Sequence, residues 1–153
     1  GGLDCPDEIL EETDLVVASV HSAFKQDRGT MTNRILSAVE NKNVDIIGHL
    51  TGRLISKREG YDLDLDRVFE AAADCGTILE INASPDRLDL NDLNAHRARE
   101  KGIKVAINTD AHDLKRLDEM RYGVSVARRA WLEPDDVVNT MPVGELIKYL
   151  RRR

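Results

Sequence analysis

The chain has 153 residues, with 22 lysines and arginines against 28 aspartates and glutamates, a net charge of −6, and 41% hydrophobic residues. A chain of this size buries enough surface for a core without disulfides or a structural metal, so we expect residues 1–153 to form one domain. No apolar run reaches the roughly 20 residues of a membrane helix and no signal peptide is visible, so we expect a cytoplasmic protein with no membrane partner. The net negative charge argues against a protein that binds nucleic acid by charge alone.

Four short apolar runs, rich in β-branched residues, predict strands, and a segment with helical periodicity follows each of the first three. The predicted strands cover 15–20, 45–48, 77–81 and 104–107, and the helices between them cover about 30–42, 64–75 and 91–101. Strands that alternate with helices form βαβ units, so the pattern predicts an α/β fold with parallel strands.

After the fourth strand the pattern becomes helical. We expect helices at about 121–131 and 144–151, with a short helix opened by Glu133 and Pro134 between them. The polar stretch 49–63 is long for a simple connection, and loops of this kind often carry function. Cys5 and Cys75 form no CxxC motif, so we expect two free thiols.

Polar residues stand at the carboxyl end of every predicted strand. The four strands end at His21, His49, Asn82 and Asp110 in turn, about one βα unit apart. The carboxyl ends of parallel strands open onto one face, which carries the site in barrels and in open sheets. Glu80 shares a strand face with Asn82, and this pair either faces the site or forms a buried, hydrogen-bonded polar pair.

These strand ends predict a metal site whose ligands are His21, His49, Asp110 and His112. Imidazole and carboxylate groups bind Zn, Mn and Fe, and catalytic sites keep open positions for water or substrate. A single histidine is more often a surface or core residue, but three histidines and an aspartate at one rim favour metal binding. His96 lies within a predicted helix and is left out of the ligand set.

Two arginines near the strand ends are candidates for phosphate binding. Arg53 lies on the polar stretch, and its planar guanidinium suits phosphate oxygens. Asn82, Ser84 and Arg87 form a second candidate substrate-binding group after the third strand. The alternative for either arginine is a salt bridge within its loop. The sequence contains no GxxxxGK[ST], GxGxxG or GxSxG motif. The usual signatures of NTPases, dinucleotide-binding proteins and serine hydrolases are therefore absent.

Four segments together resemble the polymerase-and-histidinol-phosphatase (PHP) domain, in the version found at the C-terminus of bacterial and archaeal family X DNA polymerases. The segments are LVVASVH at 15–21, DIIGHLTGR at 45–53, EINASPDRLDL at 80–90 and NTDAH at 108–112. The resemblance implies a metal-dependent phosphoesterase on a distorted seven-stranded β/α barrel, of which this chain would form about the C-terminal half. It also implies up to three divalent ions (Mn or Zn, or Fe) and a 3′–5′ exonuclease acting on DNA 3′ ends in repair.

The resemblance places His21, His49, Asp110 and His112 on metal-ligand positions of the family, and Arg53 and the 82–87 stretch on its substrate-side loops. Asp110 and His112, with Arg53 orienting the phosphate, would then act in catalysis. The family's opening His-x-His motif, a following Asp and His, and a bridging Glu have no counterpart here, and Leu50 stands where a proline is common. We therefore expect a longer protein or a second chain to supply the remaining ligands.

Two other functions stay open. The chain could be a catalytically silent half-barrel that acts as a scaffold, and its unpaired sheet edges would then favour a homodimer. It could also be a phosphatase for a small phosphate ester such as histidinol phosphate, which uses the same chemistry. A comparison of turnover on a DNA 3′ end and on the small ester discriminates between them.

Overall fold

The computed structural model describes residues 2–150, and its centre is a four-stranded parallel sheet with the order β1-β2-β3-β4. The strands are β1 Val17–Ala18, β2 Ile46–Ile47, β3 Ile78–Asn82 and β4 Val105–Asn108. All four predicted strands are present, and the parallel α/β prediction is confirmed. β1 and β2 are shorter than predicted, since only two residues of each pair along the sheet. Four neighbouring parallel strands are consistent with part of a barrel, and the seven-stranded barrel remains a prediction.

Helices connect the strands and follow the sheet. They are α1 Asp7–Leu10, α2 Arg28–Val39, α3 Leu65–Cys75, α4 Asp92–Glu100, α5 Met120–Arg129 and α6 Val143–Leu150, with 3₁₀ segments at Leu114–Glu119, Pro134–Asp136 and Val138–Thr140. The predicted helices are confirmed, whereas the sequence did not predict α1. The last predicted helix reached Arg151, which lies outside the described residues.

Capping residues set the start of the three crossover helices. The side chains of Asp27, Asp64 and Asn91 accept hydrogen bonds from the backbone N–H three residues ahead, at the starts of α2, α3 and α4. Such a bond satisfies one of the N–H groups that a helix start leaves unpaired. α3 ends at Gly76, whose φ of 70° is the left-handed conformation that glycine adopts without strain.

The core lies between the sheet and the crossover helices. α2 contributes the fully buried Met31 and α3 the fully buried Val68 and Phe69, and these pack in one cluster with residues of β2, β3 and β4. A smaller cluster on the other side of the sheet includes Ile78 and Ala106. Burial of these side chains fixes the strands, so the loops at their carboxyl ends are held at one rim.

The outer edge of β4 is covered by the chain itself. The Asn139 side chain accepts a hydrogen bond from the Ile107 N–H (2.7 Å) and donates one to the Ile107 carbonyl (2.9 Å), and Val137 forms a parallel bridge with Val105. One amide side chain therefore takes the place of a neighbouring strand. The expectation of two unpaired edges was wrong at β4, and a homodimer through a sheet edge remains a proposal for β1 alone.

Cys5 and Cys75 are free and exposed, which confirms the expectation of two thiols. The longest helix in the described part of the chain, α2, has 12 residues. Within residues 2–150 no helix is both long enough and apolar enough to cross a bilayer, a path that takes roughly 20 residues.

Candidate site at the carboxyl ends of the strands

Side chains from all four strand ends meet at one rim of the sheet. The His21 and His49 rings lie edge to face with their centroids 5.4 Å apart. The Asn82 side-chain amide, at the end of β3, donates to Asp110 Oδ2 at 3.3 Å. The structure thus brings together four residues that the sequence placed at successive strand ends.

Glu80 holds this rim together. Its Oε2 accepts hydrogen bonds from the His49 backbone N–H (2.6 Å) and the Asn82 amide (3.3 Å), while its Oε1 accepts one from the Asn108 amide (2.8 Å). Burial raises the pKa of the Glu80 carboxyl, and the three hydrogen bonds oppose that rise. The pair of Glu80 and Asn82 is therefore both buried and part of the site, which the sequence left open.

Burial keeps the His49 imidazole in its neutral form. The residue is 5% exposed, and burial, followed by the positive charge of Arg87, lowers its pKa to about 4. At neutral pH the ring is therefore uncharged, and one of its nitrogens carries a lone pair. Its Nδ1 is buried and has no hydrogen-bond partner, although most buried polar atoms have one.

The backbone at two predicted ligands is strained. His49 has a φ of 30° and Asp110 a φ of 53°, in the left-handed region that residues with a Cβ rarely adopt. Such conformations persist only where the surroundings enforce them, and they concentrate at functional sites. This strain supports a role for both positions beyond packing.

Arg87 reaches the same rim from the loop after β3. Its Nε lies 3.4 Å from Asp110 Oδ2, and its side chain is 18% exposed. Its Nη1 is buried without a hydrogen-bond partner. Arg53 supports the loop from behind, because its guanidinium donates to the carbonyls of Arg87 (2.7 Å) and Leu88. Arg53 thus braces the loop that carries Arg87, and its contact with phosphate stays a prediction.

Ser84 and His112 also lie near the strand ends, one buried and the other exposed. Ser84 is buried, and its hydroxyl accepts a hydrogen bond from Arg116 at 2.7 Å. His112 is exposed, with its Nδ1 2.7 Å from the Asp110 carbonyl oxygen. The predicted substrate role of Ser84 and the predicted ligand role of His112 remain predictions. His96, left out of the ligand set, contacts the Ala130 carbonyl and Glu100 instead.

The residues present fit part of a divalent-ion site. Two imidazoles and a carboxylate at one rim, with a buried His49 nitrogen that lacks a partner, are the donor chemistry that Zn and Mn select. Within residues 2–150, however, no three histidine, cysteine, aspartate or glutamate side chains stand close enough to hold an ion. The described residues therefore do not form a metal site by themselves, and the ligand roles of His21, His49 and Asp110 remain predictions.

Asp89 is a buried carboxylate that the sequence analysis did not single out. Its Oδ2 accepts hydrogen bonds from the backbone N–H groups of Thr51 (3.0 Å) and Gly52 (2.9 Å), and burial raises its pKa. This contact joins the loop after β3 to the polar stretch 49–63. The sequence signal was an aspartate between the two leucines of the LDL run at 88–90.

Aromatic stacking fixes the polar stretch against the loop that follows β1. The Phe24 and Tyr61 rings are stacked with centroids 5.9 Å apart, and the Arg58 guanidinium lies 4.2 Å from the Phe24 ring centroid. The Tyr61 hydroxyl donates to the Val20 carbonyl at 3.2 Å. Gly52, with a φ of 63°, lies directly beneath the Tyr61 ring. The 49–63 stretch therefore packs against the loop after β1 and forms one wall of the site.

Comparison with known proteins found relatives along the whole chain, while no family model matches it. The chain is 44% identical over 152 residues to the DNA polymerase/3′-5′ exonuclease PolX of Bacillus subtilis, covering 99% of this chain and 27% of that protein. It is 35% identical over 165 residues to a probable phosphatase of Thermoanaerobacter sp. (strain X514), and 36% identical to one of Caldanaerobacter subterraneus. Each match covers all of this chain, and 63% and 61% of the respective relative.

The chain thus spans about a quarter of the polymerase and less than two thirds of the phosphatases. The names of these relatives, an exonuclease joined to a polymerase and two probable phosphatases, are consistent with the PHP resemblance of the four motifs.

Proposed function

We propose that this chain is part of a PHP-type, metal-dependent phosphoesterase that hydrolyses phosphodiester or phosphate groups at DNA 3′ ends and belongs to a family X DNA polymerase. The observation that carries the proposal is the 44% identity to a 3′-5′ exonuclease PolX along 99% of the chain. The cluster of imidazole, carboxylate and guanidinium groups at one rim of the sheet supports the proposal. Imidazole and carboxylate groups bind the metal ions of metal-assisted phosphoryl transfer, and guanidinium groups bind phosphate oxygens.

His21 and His49 would hold an ion on one side of the cluster, with Asp110 and His112 on the other. A bound divalent ion supplies a water of lowered pKa and neutralises charge on phosphate oxygens. Glu80 positions the site, since its hydrogen bond to the His49 N–H fixes the backbone that presents the imidazole. Arg87, on the loop that Arg53 braces, offers an unpaired N–H donor to a phosphate oxygen.

The remaining ligands would come from residues outside this chain, in the same protein or in a second chain. DNA would meet the rim through its backbone and a 3′ end, where bound ions supply the positive charge that an acidic chain lacks. The affinity for DNA would therefore come from the ions bound at the rim, and no basic surface elsewhere would be needed.

The test is carried out in the longest natural protein that contains this chain, on a labelled single-stranded oligonucleotide with Mn²⁺. His49→Ala and Asp110→Ala are each expected to reduce removal of 3′ nucleotides by at least about 100-fold, because each removes a proposed ligand. His96→Ala is the matched control, since that histidine contacts α4 and the Ala130 carbonyl instead. Unchanged exonuclease rates in both site variants, with their folds intact by circular dichroism, contradict the proposal.

A phosphatase that acts on a small phosphate ester is the second candidate, and the two probable phosphatases matched along the whole chain favour it. The same variants are assayed on histidinol phosphate. Turnover of the ester with none of the oligonucleotide favours this candidate, and the reverse favours the exonuclease. A protein that binds no Mn²⁺ and turns over neither substrate is the silent scaffold.

A further inference from the structure

The segment 120–132, which includes α5, is positively charged within an acidic chain. It has three arginines and no acidic residue, whereas the net charge of the chain is −6. Arg129 is paired with Asp92, since its Nη2 lies 2.7 Å from Asp92 Oδ2. Arg121 and Arg128 are exposed, and neither has an ion-pair partner among residues 2–150. A positive charge stabilises the last turn of a helix but not the first, so helix stability accounts for Arg128 and leaves Arg121 unexplained.

Arg121 and Arg128 share one exposed side of α5. They are seven residues apart, close to two turns of a helix, which puts them about 10 Å apart along its axis. Val124 and Ser125 lie between them on this side and are exposed as well. The opposite side is buried, at Gly123, Val126 and Ala127. We call Arg121, Val124, Ser125 and Arg128 the α5 face.

The α5 face begins at the rim that carries the candidate site. A Cβ at Gly123 would lie 2.8 Å from the Ala83 Cβ and 2.5 Å from Ile107 Cγ2, so the first turns of α5 pack directly on the ends of β3 and β4. Ala83 follows Asn82, whose amide contacts Asp110 in the candidate site. A ligand bound along α5 would therefore reach the candidate site at one end.

Exposed aromatic rings stand at both ends of the α5 face. At the first turn, Arg121 Cζ lies 4.9 Å from the Tyr122 ring centroid, and both side chains are exposed. At the other end, Trp131 is 73% exposed and has a φ of 62°, the left-handed conformation that usually belongs to glycine at a helix end. Packing does not account for a tryptophan that is both exposed and strained.

We propose that the α5 face, together with Tyr122 and Trp131, binds a single-stranded stretch of nucleic acid whose end lies at the rim. The two free guanidinium groups pair with phosphates, and the aromatic rings stack on bases, which is how proteins bind single strands without reading their sequence. An acidic protein surface would satisfy the charge but offers no base to stack on Trp131. This inference rests on the DNA substrate of the proposed function and adds affinity that remains when the ions at the rim are removed.

The test titrates the 153-residue chain with oligothymidylate in EDTA and follows the fluorescence of Trp131, the single tryptophan. Stacking of a base on the indole is expected to quench this fluorescence. The double variant Arg121→Gln, Arg128→Gln is expected to reduce the slope of log binding constant against log salt concentration by about 1.4, which is about 0.7 for each lost phosphate contact. The matched control Arg129→Gln removes a charge that Asp92 already compensates, so it should leave the slope unchanged.

Substitution of Trp131 tests the stacking, with the fluorescence anisotropy of a labelled oligothymidylate as the measure of binding. Trp131→Ala is expected to weaken binding at least about fivefold, because it removes a base-stacking surface. Trp131→Phe keeps an aromatic ring and is expected to retain most of the affinity. Circular dichroism of each variant shows that the binding data come from folded protein.

Polyglutamate is the probe for an acidic protein partner, and equal quenching by polyglutamate and by oligothymidylate overturns the nucleic-acid proposal in favour of such a partner. The absence of quenching by oligothymidylate overturns it as well, as does an Arg129→Gln control that loses as much salt dependence as the double variant. Each of these results leaves the proposed function standing, because EDTA removes the ions and no turnover is measured. The exonuclease assay of His49→Ala and Asp110→Ala tests the proposed function separately.

Discussion

Replacement of Gly52 by alanine tests whether the polar stretch is a fixed wall of the site. A Cβ at Gly52 would lie 1.9 Å from Cζ and 2.1 Å from the hydroxyl of Tyr61. The ring must move, which breaks its hydrogen bond to the Val20 carbonyl and its stack on Phe24. The hydrogen bond contributes about 1 kcal/mol and the stack about 1 kcal/mol, and the left-handed φ adds about 1 kcal/mol for any residue with a Cβ.

Gly102 is the matched control, since its φ is 73° and a Cβ there would meet nothing within 4 Å. We expect Gly102→Ala to lower the free energy of unfolding by about 1 kcal/mol and Gly52→Ala by about 3 kcal/mol. Urea unfolding followed by circular dichroism measures both values. Fluorescence of the single tryptophan is a poor probe here, because Trp131 is 73% exposed.

Equal losses in the two glycine variants refute the reasoning, because the Tyr61 contact would then contribute nothing. A double-mutant cycle locates the effect. In a Tyr61→Ala background, Gly52→Ala should cost only the backbone term of about 1 kcal/mol.

Three further predictions concern other contacts and are measured by urea unfolding. Asn139→Ala should lower stability by about 1–3 kcal/mol, because it leaves the Ile107 N–H and carbonyl without their partners; no change would mean that water replaces the amide. Burial raises the pKa of Asp89 in the folded protein above its ordinary value of 3.8. The free energy of unfolding of the wild type, relative to that of Asp89→Asn, should therefore fall as pH rises above about 4. A difference between the two proteins that does not change with pH would contradict this. Gly123→Ala should lower the free energy of unfolding by about 1–3 kcal/mol, because the added Cβ would lie 2.5 Å from Ile107 Cγ2. The control is Gly144→Ala, whose Cβ would meet nothing within 4 Å and which should be neutral or stabilising. Equal effects of the two substitutions would contradict the close approach at Gly123.

The order of elements was predictable because the residues that become buried are apolar, and their spacing in the sequence differs between helices and strands. β3 and, up to Ile107, β4 are short, continuous runs of buried residues, and the helices α2 to α4 repeat buried residues at helical spacing. The lengths of β1 and β2 were not predictable, since a residue counts as strand only where a neighbouring strand pairs with it. α1 has only four residues, too few to show a helical period.

The rim residues were predictable from topology alone, since parallel strands deliver their carboxyl ends to one face. The contacts of Glu80 and Asp89 were not, because each carboxylate finds its partners far along the chain, 31 residues away for the His49 N–H and 37 for the Gly52 N–H. Sequence periodicity contains no information on which loop N–H a buried carboxylate will accept from. The exposed position of His112 is of the same kind, because it depends on how one turn after β4 is folded.

The side-chain amide of Asn139 limits where further strands can join the sheet. With the β4 side occupied around Ile107, another strand can extend the ladder only beside β1. A parallel strand added there would bring the residue at its own carboxyl end next to His21, far from the Asp110 end of the row. In the proposed site, a ligand carried by such a strand would therefore lie on the histidine side of the cluster.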